Sequence, residues 1–293
     1  MGRYHPECPG RLEAIDGFLA KEGLDALLTR YEVPLAPIEA LCRVHSRDYV
    51  DMVRAAAPHA GMVQLDADTA MNPHTWNAAL RAAGAGLLAV DLVVRAEADN
   101  AFCAVRPPGH HALRGAAMGF CVFNNVAVAA AHTLAEHGLK RVAIIDFDVH
   151  HGNGTEEAFS GDARVLMCGI FQHPFYPYSG ADSRADNMLN VPLARGAGSA
   201  EFRAVVEQKW LPRLERFKPQ IVFFSAGFDA HRDDDIGGLA LVEDDYAWCT
   251  GQIKALAARH AQGRIVSMLE GGYNLDALAR CVAAHVRVLA GAA

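Results

Sequence analysis

The segment RVAIIDFDVHHGNGT (residues 141–155) sets Asp146, Asp148 and His150 at alternate positions, followed at once by His151 and a Gly-Asn-Gly turn. Alternate residues of an extended chain share a face, so Asp148 and His150 point together into one crevice. The run before them, Val142, Ala143, Ile144 and Ile145, reads as a strand buried in a parallel sheet. Carboxylates and imidazoles at the end of a buried strand are costly unless something compensates them, and a divalent cation does. A solvated aspartate-rich loop would not put so many ligand groups on the end of an apolar strand.

Asp229, in SAGFDAH, completes a candidate ligand set of two carboxylates and one imidazole. Such a set cancels the charge of a divalent ion and leaves a coordination position open, as catalytic zinc sites do. Alone, Gly-Phe-Asp-Ala would equally be a turn or cap; its partner loop favours the ligand. A second metal is not expected. Two-metal hydrolases hold ions about 3.5–4 Å apart with bridging carboxylates, whereas here Gly152 stands two residues after His150 and His231 two after Asp229. Asp233, Asp234 and Asp235 read as a solvated charge run.

His110 and His111 follow Pro-Pro-Gly, a rigid lead-in that holds both rings. Adjacent imidazoles beside a metal suit proton transfer, and each needs a partner to set its tautomer. Asp146 and Asn153 are the candidates: a carboxylate favours an imidazolium, an amide leaves its histidine free to titrate. Tyr273 follows Glu270-Gly271-Gly272, whose glycines permit close backbone approach and could aim a phenol at the metal as an oxyanion donor.

These groups must be positioned by an alternation of strands and helices. Residues 101–105, 142–145, 164–170, 221–226 and 264–269 read as strands. Residues 11–24, 46–57 (with Ser46 as N-cap), 72–97, the end of 119–137, a segment from about Thr155, 200–217, 243–260 and 275–290 read as helices. Gly138 stops one helix, Pro73 starts another, and Pro212 predicts a kink or break. Residues 61–72, with Asp66 and Asp68, and residues 172–198 read as loops. The alternation implies an α/β fold with a mainly parallel sheet and right-handed crossovers. RPPGHH, DFDVHHGNG, GFDAH and EGGY each follow a strand directly. Ligands bind beyond the carboxyl ends of strands in open parallel sheets, so the four segments should converge on one site.

Composition narrows the class. The chain has 293 residues, 52% hydrophobic and 21% charged, enough for a large core in one domain. No run of about 18 apolar residues suggests a membrane span, and MGRYHPECPGR lacks an apolar signal core. Seven cysteines without a CxxC pair read as reduced, buried thiols of a cytoplasmic protein. A net charge of −7 argues against direct nucleic-acid binding and is compatible with a cationic substrate. An assembly of identical chains is compatible with the sequence.

RPPGHHA, GFCVFNN, DFDVHHGNGT, QHPFYPYSG, SAGFDAH and EGGYN, in this order along nearly the whole chain, resemble the zinc-dependent histone deacetylase family, in its class II and bacterial amidohydrolase branch. The resemblance implies an arginase/deacetylase-type α/β fold over residues 1–293 with zinc on Asp148, His150 and Asp229. His111 would be general base and then acid, His110 mainly electrostatic, and Tyr273 would polarise the acyl carbonyl. Asn153 is a class II feature. Gly119, Phe120, Tyr176, Ile236 and Gly272 would line a narrow acyl-lysine tunnel, with Asp68 as a rim carboxylate and Arg11 behind the metal near an acetate-release pocket. A structural potassium ion would use backbone oxygens of Asp146, His150, Gly169 and Ile170. The substrate implied is an acetylated lysine peptide or protein, or a small acetylated amine. Two departures stand out. Only four residues precede His5, so the usual N-terminal edge strand is expected to be missing or shortened. Ile236 occupies the position of the gatekeeper glutamate of polyamine-specific members, which lowers an acetylpolyamine reading. An acyl-lysine binder without turnover and a binuclear ureohydrolase are weaker readings of the same residues.

Overall fold

The structure is a computed structural model describing residues 1–2 and 4–292. In chain order its helices are α1 (Gly10–Lys21), α2 (Ile38–Leu41), α3 (Arg47–Ala56), α4 (Thr75–Val94), α5 (Asn125–Glu136), α6 (Asn153–Phe159), α7 (Ser199–Val205), α8 (Leu211–Phe217), α9 (Glu243–His260) and α10 (Leu275–Ala290). The strands are β1 (Val63–Gln64), β2 (Ala70–Met71), β3 (Asn100–Cys103), β4 (Val142–Asp146), β5 (Val165–Gln172), β6 (Met188–Leu193), β7 (Ile221–Ala226) and β8 (Ile265–Leu269).

β3–β8 form one parallel sheet in the spatial order β3-β8-β7-β4-β5-β6. Its central strands β4, β7 and β8 are buried at every position, which is why they read as mainly apolar runs. From β4 the chain moves outward through β5 and β6, then returns to lay β7 on the other side of β4 and continues to β8. The order therefore reverses between β4 and β7, and an open α/β sheet has its ligand crevice at that point. The strands that carry the four polar segments, β3, β8, β7 and β4, are consecutive neighbours. Two apolar layers cover the faces. One packs Ile145, Phe224 and Leu269 against α1, α9 and α10, and the other packs Ile144, Phe223 and Met268 against α4 and α5.

Several elements differ from the sequence reading. Residues 61–72 hold an antiparallel pair, β1 with β2. The stretch after Gln172 contains an edge strand, β6, whose Pro192 sits opposite Phe171; proline lacks a ladder donor and is tolerated at an edge. The expected break at Pro212 is a π-turn at Val206–Trp210 between α7 and α8, which relocates the backbone bond that proline cannot make. By length and composition α4 would qualify as a membrane span, yet 67% of its apolar window is buried, against α5, β3 and β8. Among the described residues no strand precedes β1, and β3 is an edge of the large sheet.

At the heart of the first layer His285 is fully buried, with Nε2 2.9 Å from Ser267 Oγ and Nδ1 2.6 Å from Thr250 Oγ1. Rings of Phe102, Phe147, Phe224 and Phe228 surround it, and burial drives its pKa down to about 3. The unfolded chain takes up this proton near the ordinary value of about 6.5 and the folded protein does not. The neutral-histidine stability is thus fully present above about pH 6.5 and is lost as pH falls from there towards 3, by about 1.4 kcal/mol per unit. His285→Gln should flatten the dependence of the urea midpoint on pH between 6.5 and 4 relative to the unsubstituted protein; parallel curves would show that another group controls it.

Candidate active site

Beyond β4 the chain turns inward. Asp148, His150 and Asp229 each present one ligand atom, all within 4.8 Å of one another, and all three side chains are buried. Nδ1 of His150 lies 2.9 Å from Asp148 Oδ1 and 3.3 Å from Asp229 Oδ2. Backbone amides fix the other carboxylate oxygens: Val149 N donates to Asp229 Oδ1 at 2.9 Å, and Gly271 N to Asp148 Oδ2 at 2.9 Å. Asp229 Oδ2 is buried with no hydrogen-bond partner; its approach to His150 is an ion pair without hydrogen-bond geometry. Burial beside Asp148 pushes Asp229 up to about 7. For Asp148 burial is outweighed by the charge of His110 and the bond from His150, which hold it far below the usual carboxylate range. An orphaned carboxylate oxygen next to a second carboxylate and an imidazole fits a divalent cation.

The two flanking loops are cut to fit these carboxylates. A β-carbon on Gly227 would lie 1.9 Å from Asp148 Oδ2, and one on Gly271 would lie 1.9 Å from Asp229 Oδ2. No side chain can stand at either place.

The structure distributes the histidine partners asymmetrically. His110 Nδ1 donates to Asp146 Oδ2 at 3.0 Å, and His111 Nδ1 donates to Asn153 Oδ1 at 2.7 Å. Asn153 turns its amide nitrogen to Met118 Sδ, so its oxygen faces the imidazole. Burial alone would lower His110, but Asp148 and Asp146 raise it to about 10. His111 is pulled well below its ordinary value by burial and by the charges of His110 and His150. With Nδ1 committed to Asn153, its Nε2 carries the lone pair.

Tyr273 follows directly on the β8 loop. Its ring lies edge-on to Phe120 at 5.7 Å, and the Arg11 guanidinium sits 5.0 Å from its centre. Burial holds the phenol well above its ordinary pKa, so it stays a donor. Phe120 itself has φ 68°, a left-handed conformation costly for an aromatic residue, and His5 packs edge-on against it at 4.5 Å. Tyr176 stands edge-on to His111 at 5.3 Å, and its hydroxyl is buried without a partner. Asp68 Oδ1 accepts from Gly119 N at 3.0 Å, tying the residue before Phe120 to the rim. Gly272 O accepts from Arg11 Nε at 2.7 Å, and Ile236 is half-buried on the loop after Asp229. Gly169 is the register partner of Asp146, with Ile170 next along β5.

Three acidic groups escaped the sequence reading. Asp234 does not belong to a solvated run: it is buried, and its Oδ2 accepts from Tyr273 N at 2.6 Å and Asn274 N at 2.9 Å. Its neighbours Asp233 and Asp235 are exposed. Glu270 is fully buried, accepting from Gly109 N (2.6 Å), His110 N (3.1 Å) and Ser225 Oγ (3.0 Å), and burial lifts it to about 7. Glu7 is buried between Arg106, at 2.5 and 2.7 Å, and Arg11, at 3.5 Å. The place of Glu270 at the head of EGGY, directly after a buried strand, was the one available signal; Tyr273 and Asn274, which bury Asp234, and Arg106, which pairs with Glu7, lie far away in sequence.

The whole architecture matches the crystal structure of the HDA15 HD domain with a TM-score of 0.93 and 34% identity, covering 100% of this chain and 84% of that one. This is the arginase/deacetylase fold. The histone deacetylase domain model matches residues 5–289, and the chain belongs to the histone deacetylase family. It is 38% identical over 294 residues to the histone deacetylase-like amidohydrolase of Pseudomonas aeruginosa, covering 98% of this chain and 77% of that protein. It is 38% identical over 308 residues to the polyamine deacetylase HDAC10 of Homo sapiens, covering 98% and 45%. It is 44% identical over 244 residues to type-2 histone deacetylase 2 of Dictyostelium discoideum, covering 76% of this chain and 14% of that protein.

Gly271→Ala should drive Asp229 and Asp148 out of position and weaken retention of divalent metal about 10–100-fold, the scale for disturbing groups that orient a ligand. Equilibrium dialysis with zinc measures this, and unaltered retention would show that the two carboxylates do not share an ion.

Proposed function

We propose that this protein is a zinc-dependent amidohydrolase that removes acetyl groups from Nε-acetyl-lysine-type amines. The observation that carries the reading is the buried, unpartnered Oδ2 of Asp229 beside Asp148 and His150, with a neutral imidazole and a phenol on the loops around it. Asp148, His150 and Asp229 would hold zinc, which would supply Lewis acidity to an acyl carbonyl and acidify water.

The chain's own groups do the rest. His111 takes the proton of the attacking water at Nε2, because Asn153 occupies Nδ1, and returns it to the leaving amine. His110, kept cationic by Asp146, stabilises negative charge as it develops. Tyr273 donates its hydroxyl hydrogen to the acyl oxygen, and Asp234 sets its backbone by accepting from Tyr273 N. Glu270 braces the His110 loop through two backbone amides. Phe120 and Tyr176 flank the acyl-lysine stem, the second oxygen of Asp68 grips substrate backbone at the rim, and Arg11 attends the departing acetate. Backbone oxygens of Asp146, His150, Gly169 and Ile170 would hold a potassium ion, since hard cations take oxygen ligands.

The human relative's name supports a second reading, an acetylpolyamine substrate. Ile236 opposes it, because an apolar side chain offers no attraction to a second ammonium. Turnover of an acetyl-lysine peptide should exceed that of acetylspermidine in one zinc-loaded preparation, and Ile236→Glu should shift the ratio towards the polyamine. The reverse preference in the unsubstituted enzyme would replace the lysine reading.

Tyr273→Phe should reduce kcat about 10²–10³-fold, the range for losing one oxyanion donor, with KM changed little, as for a contact made in the transition state. Unchanged turnover would remove Tyr273 from the mechanism.

A further inference from the structure

A second cluster of metal-binding side chains lies at the opposite pole of the molecule. Asp91 on α4, His132 on α5 and His137 at the C-cap of α5 present ligand atoms within 4.8 Å of one another. α5 begins beside the candidate active site, where Asn124 Nδ2 reaches His110 O. It then runs about 18 Å, at about 1.5 Å per residue, to the amino ends of the strands, where β4 starts at Val142. The cluster is therefore separate from Asp148, His150 and Asp229.

We propose that Asp91, His132 and His137 form a binding site for a first-row divalent cation of the zinc type, clamping α4 to α5. Asp91 Oδ1 lies 2.9 Å from His132 Nε2 and 2.7 Å from His137 Nε2. Two zinc–nitrogen or zinc–oxygen bonds of about 2.0–2.1 Å at a tetrahedral angle separate the donor atoms by about 3.3 Å, so the carboxylate–imidazole contacts need only lengthen by about half an ångström to admit the ion, with both imidazole nitrogens already within 4.8 Å of each other. Two imidazoles and one carboxylate favour a borderline ion over calcium or magnesium. All three side chains are only partly buried and line a surface cavity of about 390 Å³, which gives the ion an entry path and solvent for the remaining positions.

Arg43 competes with the ion. Its Nη1 lies 3.2 Å from His132 Nδ1, and its other nitrogen pairs with Glu136. A cation on Nε2 moves the imidazole proton to Nδ1, facing the guanidinium, so Arg43 must turn away. Glu136, one helical turn after His132, is then free to accept that proton's hydrogen bond. The arrangement gives the site a built-in ceiling on affinity, and binding weaker than at the buried ligand set is expected.

The test counts zinc. Metal-free protein dialysed against zinc chloride and analysed by plasma mass spectrometry should hold one more zinc per chain than the His132→Ala/His137→Ala variant. The variant's deacetylase turnover should be unaltered. Reading the difference makes the outcome independent of how the other centre is filled. Zinc should raise the thermal midpoint of the unsubstituted protein more than that of the variant, and Arg43→Ala should bind the additional zinc more tightly. Asp91→Asn serves as the second probe if the double variant does not fold, and should also lose one zinc. Equal counts in the unsubstituted protein and in either folded variant overturn the proposal, leaving a carboxylate that accepts two imidazole N–H bonds.

Discussion

Two carboxylates, Asp148 and Asp229, face each other in the floor of the crevice almost without solvent, and the rest of the structure is arranged to make that tolerable. Like charges at such separation in a dry interior repel strongly. Backbone amides of Val149, His150 and Gly271 absorb three of the four carboxylate oxygens, while Asp229 Oδ2 is left over. The glycines at 227 and 271 are needed because the carboxylates press directly on their α-carbons. The charge left over fits a divalent cation, the ligand proposed for this site.

Sheet order explains why these two residues meet. The chain leaves β4 outward through β5 and β6 and re-enters at β7 on the opposite side of β4. Connections after β4 and β7 consequently diverge, opening a crevice at their carboxyl ends with Asp148 and His150 on one wall and Asp229 on the other. β8 and β3 extend the same wall and bring Tyr273 and the histidine pair. Arg11 ties the far side together: α1 reaches across to donate to the carbonyls of Glu270 and Gly272. Glu7 in turn holds Arg11 and Arg106. Glu7, before α1, is thereby built into the end of the molecule that holds the candidate site.

The central strands were legible because full burial leaves a mainly apolar run, and the polar residues that end each run marked the crevice. β6 was not, because an edge strand with an exposed Pro192 and half-buried Leu189 and Asn190 carries no such signature. The β1–β2 pair was too short to show a period. Asp148 and Asp229 were legible because a buried strand and a dense ligand motif precede them, whereas Glu270 follows a buried strand with only glycines beside it, and Asp234 is buried by tertiary contact. Asp234 looks like its exposed neighbours until Tyr273 N and Asn274 N arrive from 39 and 40 residues away. Asp91 and His137 were invisible for the same reason, lying 46 residues apart on separate helices.

The two histidines show how little sequence is needed to divide labour. They are adjacent, their ring centres are 4.1 Å apart, and both are buried, so burial alone would make both neutral. A carboxylate behind one and an amide behind the other separates them. Asp148 and Asp146 keep the proton on His110, and that positive charge then helps to keep His111 unprotonated. Had Asn153 been a carboxylate, the second ring too would be drawn towards its charged form, and two cations in contact would compete with a divalent ion next to them. The amide therefore does more than orient a tautomer: it keeps the second ring neutral beside one imidazolium, as the proposed base next to a metal cation requires.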